Sequence, residues 1–408
     1  MGNEGNEQRI RRRRFLKTAA ATAAAPLVVP ATAWGADDAT AASERITMAG
    51  IGVGGRGGGN IRGASGRSDV QVLAVCDVVA EHRDRVKADI DARQGNKDCA
   101  AVNDFRDVLA RDDIDAVMIG TPDHWHAIIT IEACKSGKDV FSEKPETLTI
   151  REGRAMVEAV RRYGRVFSGG SQRVLGDYGD WPKLVRGGAL GEIREAYVSC
   201  GGPSGDCYLP EEPTPKGVDW DLWLGPAPYR PFHSQLIRGG FRPFRDYSGG
   251  GMTDWGAHRF GAATFAIGVH KTGPVEILPP DGKDVKLLTY VYSNGLRMYH
   301  GGTKNITYKG TKGELPGNPP PLKGEVDMEW YKGHGGLVGD FIYSVKTRER
   351  AFRDIEIAHR ACTVCHLGNL AYWLKRPLKW DPKKELFVGD DEANRWLDRP
   401  KRQPWTLS

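Results

Sequence analysis

The sequence predicts an α/β protein: an N-terminal doubly wound parallel sheet, then an α+β domain with a large, mostly antiparallel open sheet. Three observations carry that prediction. An apolar run, Ile46–Ile51, feeds directly into Gly52-x-Gly54-x-x-Gly57, and Asp77 stands 20 residues after Gly57. Apolar strand-like runs alternate with helical patterns as far as about residue 170. Beyond that point the runs become half-apolar, and Asn294-Gly295, a strong short hairpin signal, separates two of them.

The glycine run has the form of a dinucleotide-binding βαβ unit, the Rossmann motif. Gly52 permits the tight turn, Gly54 lets backbone approach a pyrophosphate, and Gly57 lets helix pack on strand. The helix that follows offers unpaired N–H groups and a partial positive charge to the phosphates. Gly55 and Arg56 belong to the same loop. Val70–Cys76 reads as the second buried strand, and Asp77 closes it. A carboxylate there binds a ribose 2′-hydroxyl and repels a 2′-phosphate, which favours NAD over NADP.

The remaining elements follow in order. A helical pattern runs through Ala80–Asp91, a second through Phe105–Ala110, and a strand through Ile114–Gly120. Thr121-Pro-Asp-His-Trp-His126 reads as a loop ahead of a helix over Ile128–Ser136. Strand Asp139–Ser142 ends in Glu143-Lys144-Pro145, and helix Ile150–Tyr163 and strand Arg165–Gly169 close the first domain, placed at 45–168. Sites in such sheets lie beyond the C-terminal strand ends. The loops at 52–57, 77, 120–126 and 143–146 should therefore converge on one crevice. In the second domain, placed at 169–390, strands are expected over Glu192–Cys200, Leu287–Ser293, Leu296–His300 and Asn305–Tyr308, with a helix over Ile355–Leu374. Residues 391–408 read as a polar tail.

The N-terminus reads as an address. Arg11-Arg-Arg-Arg-Phe-Leu-Lys17, the weakly apolar Thr18–Val29 and the small-x-small Ala31-Thr-Ala33 resemble a twin-arginine (Tat) signal over residues 1–33. Such a leader exports folded proteins, here to the periplasm, with the Tat machinery as partner. The whole chain carries 58 basic and 52 acidic residues, a formal +6. The leader holds six of the former and two of the latter, so 52 and 50 remain, and no nucleic-acid patch follows. No run is long and apolar enough for membrane insertion. Outside the cytoplasm free nicotinamide nucleotide is absent, so an exported dinucleotide enzyme must load NAD before export and hold it tightly.

The glycine loop, Thr121-Pro-Asp-His-Trp-His126, Glu143-Lys144-Pro145 and Gly249-Gly-Gly-Met-Thr-Asp-Trp-Gly-Ala-His258 together resemble the Gfo/Idh/MocA oxidoreductase family across residues 45–390. Ala358–Asn369 and Trp380-Asp-Pro382 resemble a Tat-exported branch of it common in planctomycetes. The resemblance implies hydride transfer between a nicotinamide and a sugar or polyol, a cis Lys144–Pro145 bond, and a homo-oligomer. It also implies a second chemistry: transient oxidation of a sugar by tightly held NAD, so that a glycosidic bond can be eliminated with no net redox change.

Lys144, at a strand end beside the nicotinamide position, is the candidate to move the proton that accompanies the hydride. Partial burial and a nearby nicotinamide cation would lower its pKa toward that task. Asp254 and His258 stand four apart and share a face if Met252–Ile267 is one helix. The resemblance makes both of them substrate-hydroxyl ligands, with His258 the proton acceptor. Arg259-Phe-Gly261 departs from relatives that carry a second His and then an Asp, which bears on substrate class. Thr121, Pro122, His124, His126 and Glu143 are expected on the nicotinamide side of the cofactor site. Gln172 and Arg173 are candidate donors to substrate hydroxyls.

Eight aromatics in residues 220–255 (22%, against 9% for the chain) either offer faces to a sugar ring or pin a long loop. Cys362-x-x-Cys365-His366 matches a c-type haem attachment string. Folded export and its place inside an apolar helical pattern oppose haem. Cys76 and Cys134 read as structural, and an oxidising compartment would allow Cys200 and Cys207 to pair. Zinc between His258 and His334, His359 or His366 lacks a diagnostic spacing, and no metal is expected.

Overall fold

A computed structural model describes residues 40–171, 180–322, 324–328 and 334–407. The expected leader, Gln172 and Arg173 lie outside the described residues. The chain divides into two units, Met1–Arg45 and Ile46–Ser408. Of the first, residues 40–45 are described, holding a 3-10 turn over Ala42–Glu44.

The second unit opens with a six-stranded sheet: β1 Ile46–Ile51, β2 Val70–Cys76, β3 Ala100–Val102, β4 Ala116–Ile119, β5 Asp139–Ser142 and β6 Phe167–Gly169. Its order is β3-β2-β1-β4-β5-β6 and every pairing is parallel. The order reverses between β1 and β4, which opens a crevice beyond the strand ends there. Helices α1 Arg56–Ala64, α2 Ala80–Gln94, α3 Phe105–Leu109, α4 Asp123–Lys135 and α5 Ile150–Arg162 connect the strands. A capping box starts α5: Thr149 Oγ1 accepts from Glu152 N–H at 3.2 Å, and Glu152 Oε2 accepts from Thr149 N–H at 3.2 Å.

An eight-stranded sheet follows, built from β7 Ile193–Val198, β8 Glu276–Leu278, β9 Thr289–Val291, β10 Arg297–His300, β11 Ile306–Gly310, β12 Gly313–Leu315, β13 Leu378–Asp381 and β14 Leu386–Phe387. Its order is β12-β11-β7-β10-β9-β8-β13-β14. Only β7 and β10 pair in parallel. The Asn294-Gly295 hairpin joins β9 and β10, with Gly295 at φ +86°. The helices here are α6 Trp181–Arg186, α7 Trp220–Leu224, α8 Gly251–Asp254, α9 Gly256–Ile267, α10 Gly336–Thr347, α11 Ile355–Leu374 and α12 Asp391–Arg395. None of the described helices is long and apolar enough to cross a membrane.

One apolar core is continuous from Met48, Val72 and Phe141 of the first sheet to Tyr290, Met298 and Tyr308 of the second. Helix α11 lies in it, packing on α5 and α9. Cys362 and Cys365 are fully buried on this helix, so the haem-like string is a stretch of core. Burial pushes both thiols well above their ordinary range.

Three expectations need correction here. Helix α4 begins at Asp123, because Pro122 takes the N-cap with extended backbone. Asp123–His126 is therefore helix rather than loop. Residues 391–408 are no loose tail. Leu397 is buried, Arg402 Nε donates to Gly225 O at 2.8 Å, and the Trp405 ring meets Trp125 edge-on at 4.6 Å. Apolar anchors at Leu397 and Trp405 outweigh the polar residues between them. Cys200 and Cys207 do not pair, and all seven cysteines are free thiols. Cys200 Sγ rests 3.8 Å from Met252 Sδ, whereas Cys207 contacts Arg230.

Glu146, just after Pro145, is fully buried with Arg353, whose Nη2 donates to Oε1 at 3.3 Å. Cys362 Sγ–H donates to Oε2 at 3.0 Å. Arg353→Met would leave that carboxylate without its cation in a dry core. We expect a loss of about 3–5 kcal/mol, read from the urea midpoint.

Candidate active site

The C-terminal ends of β1, β2, β4 and β5 open on one cleft of about 730 Å³. Gly52, Gly54, Gly55 and Arg56 line it, as do Asp77, Thr121, Pro122, Glu143 and Lys144. Asp254, Trp255 and His258 line the same cleft from α8, α9 and the residue between them. The predicted loops thus converge, and they meet residues from the second half of the chain.

The glycine turn is built for close backbone approach. Gly52 has φ +76°, and a Cβ there would lie 2.5 Å from Thr121 N. A Cβ on Gly57 would lie 2.0 Å from Gly52 O and 3.1 Å from Gly120 Cα. Gly57 therefore packs α1 onto β1 and β4 instead of lining the cleft. Helix α1 follows an N-cap at Gly55 that makes no side-chain cap bond, so no capping side chain blocks its start. A bare glycine turn, an uncapped helix start and a long cleft beyond it fit a dinucleotide diphosphate.

Asp77 holds this loop as well as closing β2. Its Oδ2 accepts from Val53 N–H at 2.8 Å and its Oδ1 from Val79 N–H at 2.9 Å. Glu143 is a clamp between β5 and α1: Oε1 accepts from Asn60 Nδ2 at 2.7 Å and lies 3.4 Å from Arg56 Nε.

The Lys144–Pro145 bond is cis, and Lys144 Nζ donates to Asp254 Oδ1 at 2.6 Å and to Asp254 O at 3.1 Å. Arg242 Nε donates to the same Oδ1 at 3.2 Å. Burial pushes the Asp254 carboxyl up, but Lys144 and then Arg242 outweigh it and hold it below the ordinary carboxylate range. Asp254 and His258 do not share one uninterrupted helix. The chain breaks at Trp255 between α8 and α9, yet both side chains reach the cleft. His258 Nδ1 lies 2.8 Å from Ser171 Oγ, which donates to Ala257 O at 3.4 Å. A ring proton on Nδ1, donated to that oxygen, would leave Nε2 as the basic nitrogen.

His124 and His126 are placed differently from expectation. Both are buried in the first turn of α4, and neither lines the cleft. His124 Nε2 bonds Trp223 O at 3.0 Å, and burial lowers its pKa to about 4. Both ring nitrogens of His126 are taken up by carbonyl oxygens, of Pro145 at 2.7 Å and Thr121 at 2.8 Å. The helix, starting early, turns both rings into the packing.

Sequence reasoning missed Ser171, Asn60, Arg242 and the cleft-lining Asp123. Ser171 and Asn60 carry a weak signal, being polar groups at a strand end and on the first turns after the glycine loop. Arg242 carries none. The aromatic stretch divides: Trp220 stacks on Trp223 at 4.7 Å, and with Phe232, Phe241 and Tyr247 they form a satellite core. Trp223 and Phe241 also line the cleft, and Trp255, 40% exposed there, is the most open of these rings. The Arg259 guanidinium covers it at 5.1 Å. Among the described residues no group of three or more His, Cys, Asp or Glu could hold a metal. His359 bonds Glu385, and His366 bonds Thr147.

Residues 45–171 match the model of an oxidoreductase family's NAD-binding Rossmann fold, and residues 199–407 match that family's C-terminal alpha/beta domain. The chain belongs to the Gfo/Idh/MocA oxidoreductase family. A curated relative, a glycosyl hydrolase family 109 protein from Shewanella sp. (strain W3-18-1), is 37% identical over 115 residues. That match covers 28% of this chain and 25% of the relative. Among solved structures, an NAD-binding protein from Listeria innocua is similar at TM-score 0.58 and 17% identity. A myo-inositol 2-dehydrogenase from Lactobacillus plantarum is similar at TM-score 0.57 and 17% identity. Each alignment covers 82% of this chain and 99% of the other. At such identities the likeness fixes the Gfo/Idh/MocA fold and leaves the substrate to the site.

Proposed function

We propose that this chain is an exported, NAD-dependent oxidoreductase that acts on a sugar, polyol or glycoside, preferring NAD to NADP and holding it tightly. The observation that carries the reading is the single cleft in which the glycine turn meets Lys144, Asp254 and His258. Bound NAD would supply hydride acceptance and return at its nicotinamide ring. The chain's own residues do the rest. Asp254, kept ionised by Lys144 and Arg242, binds a substrate hydroxyl and fixes its direction. His258 Nε2 takes the proton of the hydroxyl being oxidised, and Lys144 Nζ hydrogen-bonds the same oxygen as it gains carbonyl character. Ser171 holds the imidazole in the tautomer this requires. Trp255 offers a face to the sugar ring, and Asp77 disfavours a 2′-phosphate. The roles of Gln172 and Arg173 as hydroxyl donors, the Tat route to the periplasm and homo-oligomer formation belong to the same proposal.

A second reading is redox-neutral cleavage of a glycoside, favoured by the relatives named glycosyl hydrolase family 109. The same groups serve it: after oxidation of one hydroxyl, a base in the cleft removes the acidified neighbouring proton and the glycosidic oxygen leaves. Incubating the purified protein with a panel of free sugars, polyols and aryl glycosides separates the two. Stoichiometric nicotinamide reduction supports the first, and aglycone release with no net reduction supports the second. If neither occurs with any member of the panel, both readings fail.

A further inference from the structure

Asp123 lines the cleft, and neither reading gives it a task. It is the first residue of α4, four residues past the end of β4, and it is 96% buried yet lines the cleft. Its Oδ2 is buried with no hydrogen-bond partner. An ionised carboxylate oxygen is costly to leave so, unless a ligand completes the site or a proton neutralises it.

The strand order places this oxygen. Asp77 and His82, at the β2 end, mark the adenosine half of a dinucleotide cleft. Residues after β4 and β5, across the switch point, belong to the nicotinamide half. Asp123 follows β4, and Lys144 follows β5. The charged groups around Asp123 come from several elements: His126 on its own helix, Arg242 and the hydrogen-bonding Ser248 from the segment before α8, and Asp254 from α8. Lys144 and Arg242 are already engaged by Asp254. Burial, reinforced by Asp254, pushes Asp123 up to about 6, and His126, Ser248 and Arg242 offset this only in part.

Resting on the NAD reading above, we propose that Asp123 makes the cleft discriminate between the two oxidation states of the nicotinamide by exchanging a proton. Ionised, it faces the cationic oxidised ring. Protonated, it sits beside the neutral reduced ring. Binding of NAD+ then releases a proton from Asp123 to solvent, binding of NADH does not, and no bond to the nucleotide is made.

The test equilibrates the purified full-length chain with mixtures of NAD+ and NADH across about pH 5 to about pH 8. The ratio of the two bound forms is read after rapid separation. If NAD+ lowers the carboxyl's pKa by one unit from about 6, the bound NAD+/NADH ratio rises about fivefold over that range. Asp123→Asn, nearly isosteric, should flatten the rise and lower the ratio at the alkaline end. His258→Gln should keep it. Calorimetry of the unaltered chain in two buffers of different ionisation enthalpy supplies a readout that needs no variant: proton release with NAD+ and none with NADH. A flat ratio in the unaltered chain, or a rise that survives Asp123→Asn, overturns the assignment and leaves the NAD reading standing. A chain that binds neither nucleotide overturns both.

Discussion

Lys144→Ala should lower turnover by about 10²- to 10⁴-fold while nucleotide affinity stays within a few-fold. The ammonium is 15% exposed, anchored 2.6 Å from Asp254 Oδ1, and carried by a backbone that the β5 end and Pro145 fix. Removing it takes away the one lysine that lines the cleft among the described residues, together with the stronger of the two cations holding Asp254. The second loss has its own signature. A carboxyl held below its unfolded value contributes stability that is present above about pH 4 and disappears as pH falls through the folded value. With Lys144 present, the Lys144–Asp254 pair persists to lower pH than an ordinary carboxylate would allow. In Lys144→Ala the Asp254 value climbs, and acid unfolding should begin at higher pH. A circular-dichroism acid titration checks this beside the rate assay on the substrate that the panel identifies. Full turnover in Lys144→Ala would remove the proton-transfer role.

Gly57→Ala should weaken nucleotide loading and lower the melting temperature together. The added methyl would meet Gly52 O at 2.0 Å and crowd Gly120, both backbone, so neither can move aside by a rotamer change. Overpacking of this kind costs about 1–3 kcal/mol, and the relief available is to push α1 off the sheet, which displaces the turn that would take the diphosphate. Affinity should fall about tenfold for each 1.4 kcal/mol of misplacement carried into binding. Gly59→Ala is the matched control. It is on the same helix, its Cβ would meet nothing within 4 Å, and replacing glycine in a helix stabilises by about 0.5–1 kcal/mol. The thermal melts of the two variants should move in opposite directions, and nucleotide binding should fall in Gly57→Ala alone.

The parts of the fold that could be read from sequence are those whose physics is local. Ile46–Ile51 and Val70–Cys76 are mostly buried, so they show as apolar runs, each with one polar residue, Thr47 and Gln71. Asn294-Gly295 writes its own turn, and α11 is mostly apolar because most of it lies within the core. Strands β8, β12, β13 and β14 are two to four residues long, too short to establish a period, and exist through their neighbours in the sheet. The glycine turn, Asp77, Lys144, Asp254 and His258 were legible because their spacing or their setting at a strand end carries the chemistry. Ser171, Arg242 and Asn60 act through partners 87, 12 and 83 residues away, and no local pattern records such pairings. His124 and His126 misled for the converse reason: their residue type suggests chemistry, and the helix start at Pro122 commits them to packing.

Native mass spectrometry of the chain, purified with no nucleotide added, tests the central claim most directly. The account predicts one NAD per chain, retained through gel filtration and displaced by neither buffer exchange nor added NADP. A chain that emerges empty, and takes up neither NAD nor NADP when they are supplied, would contradict it.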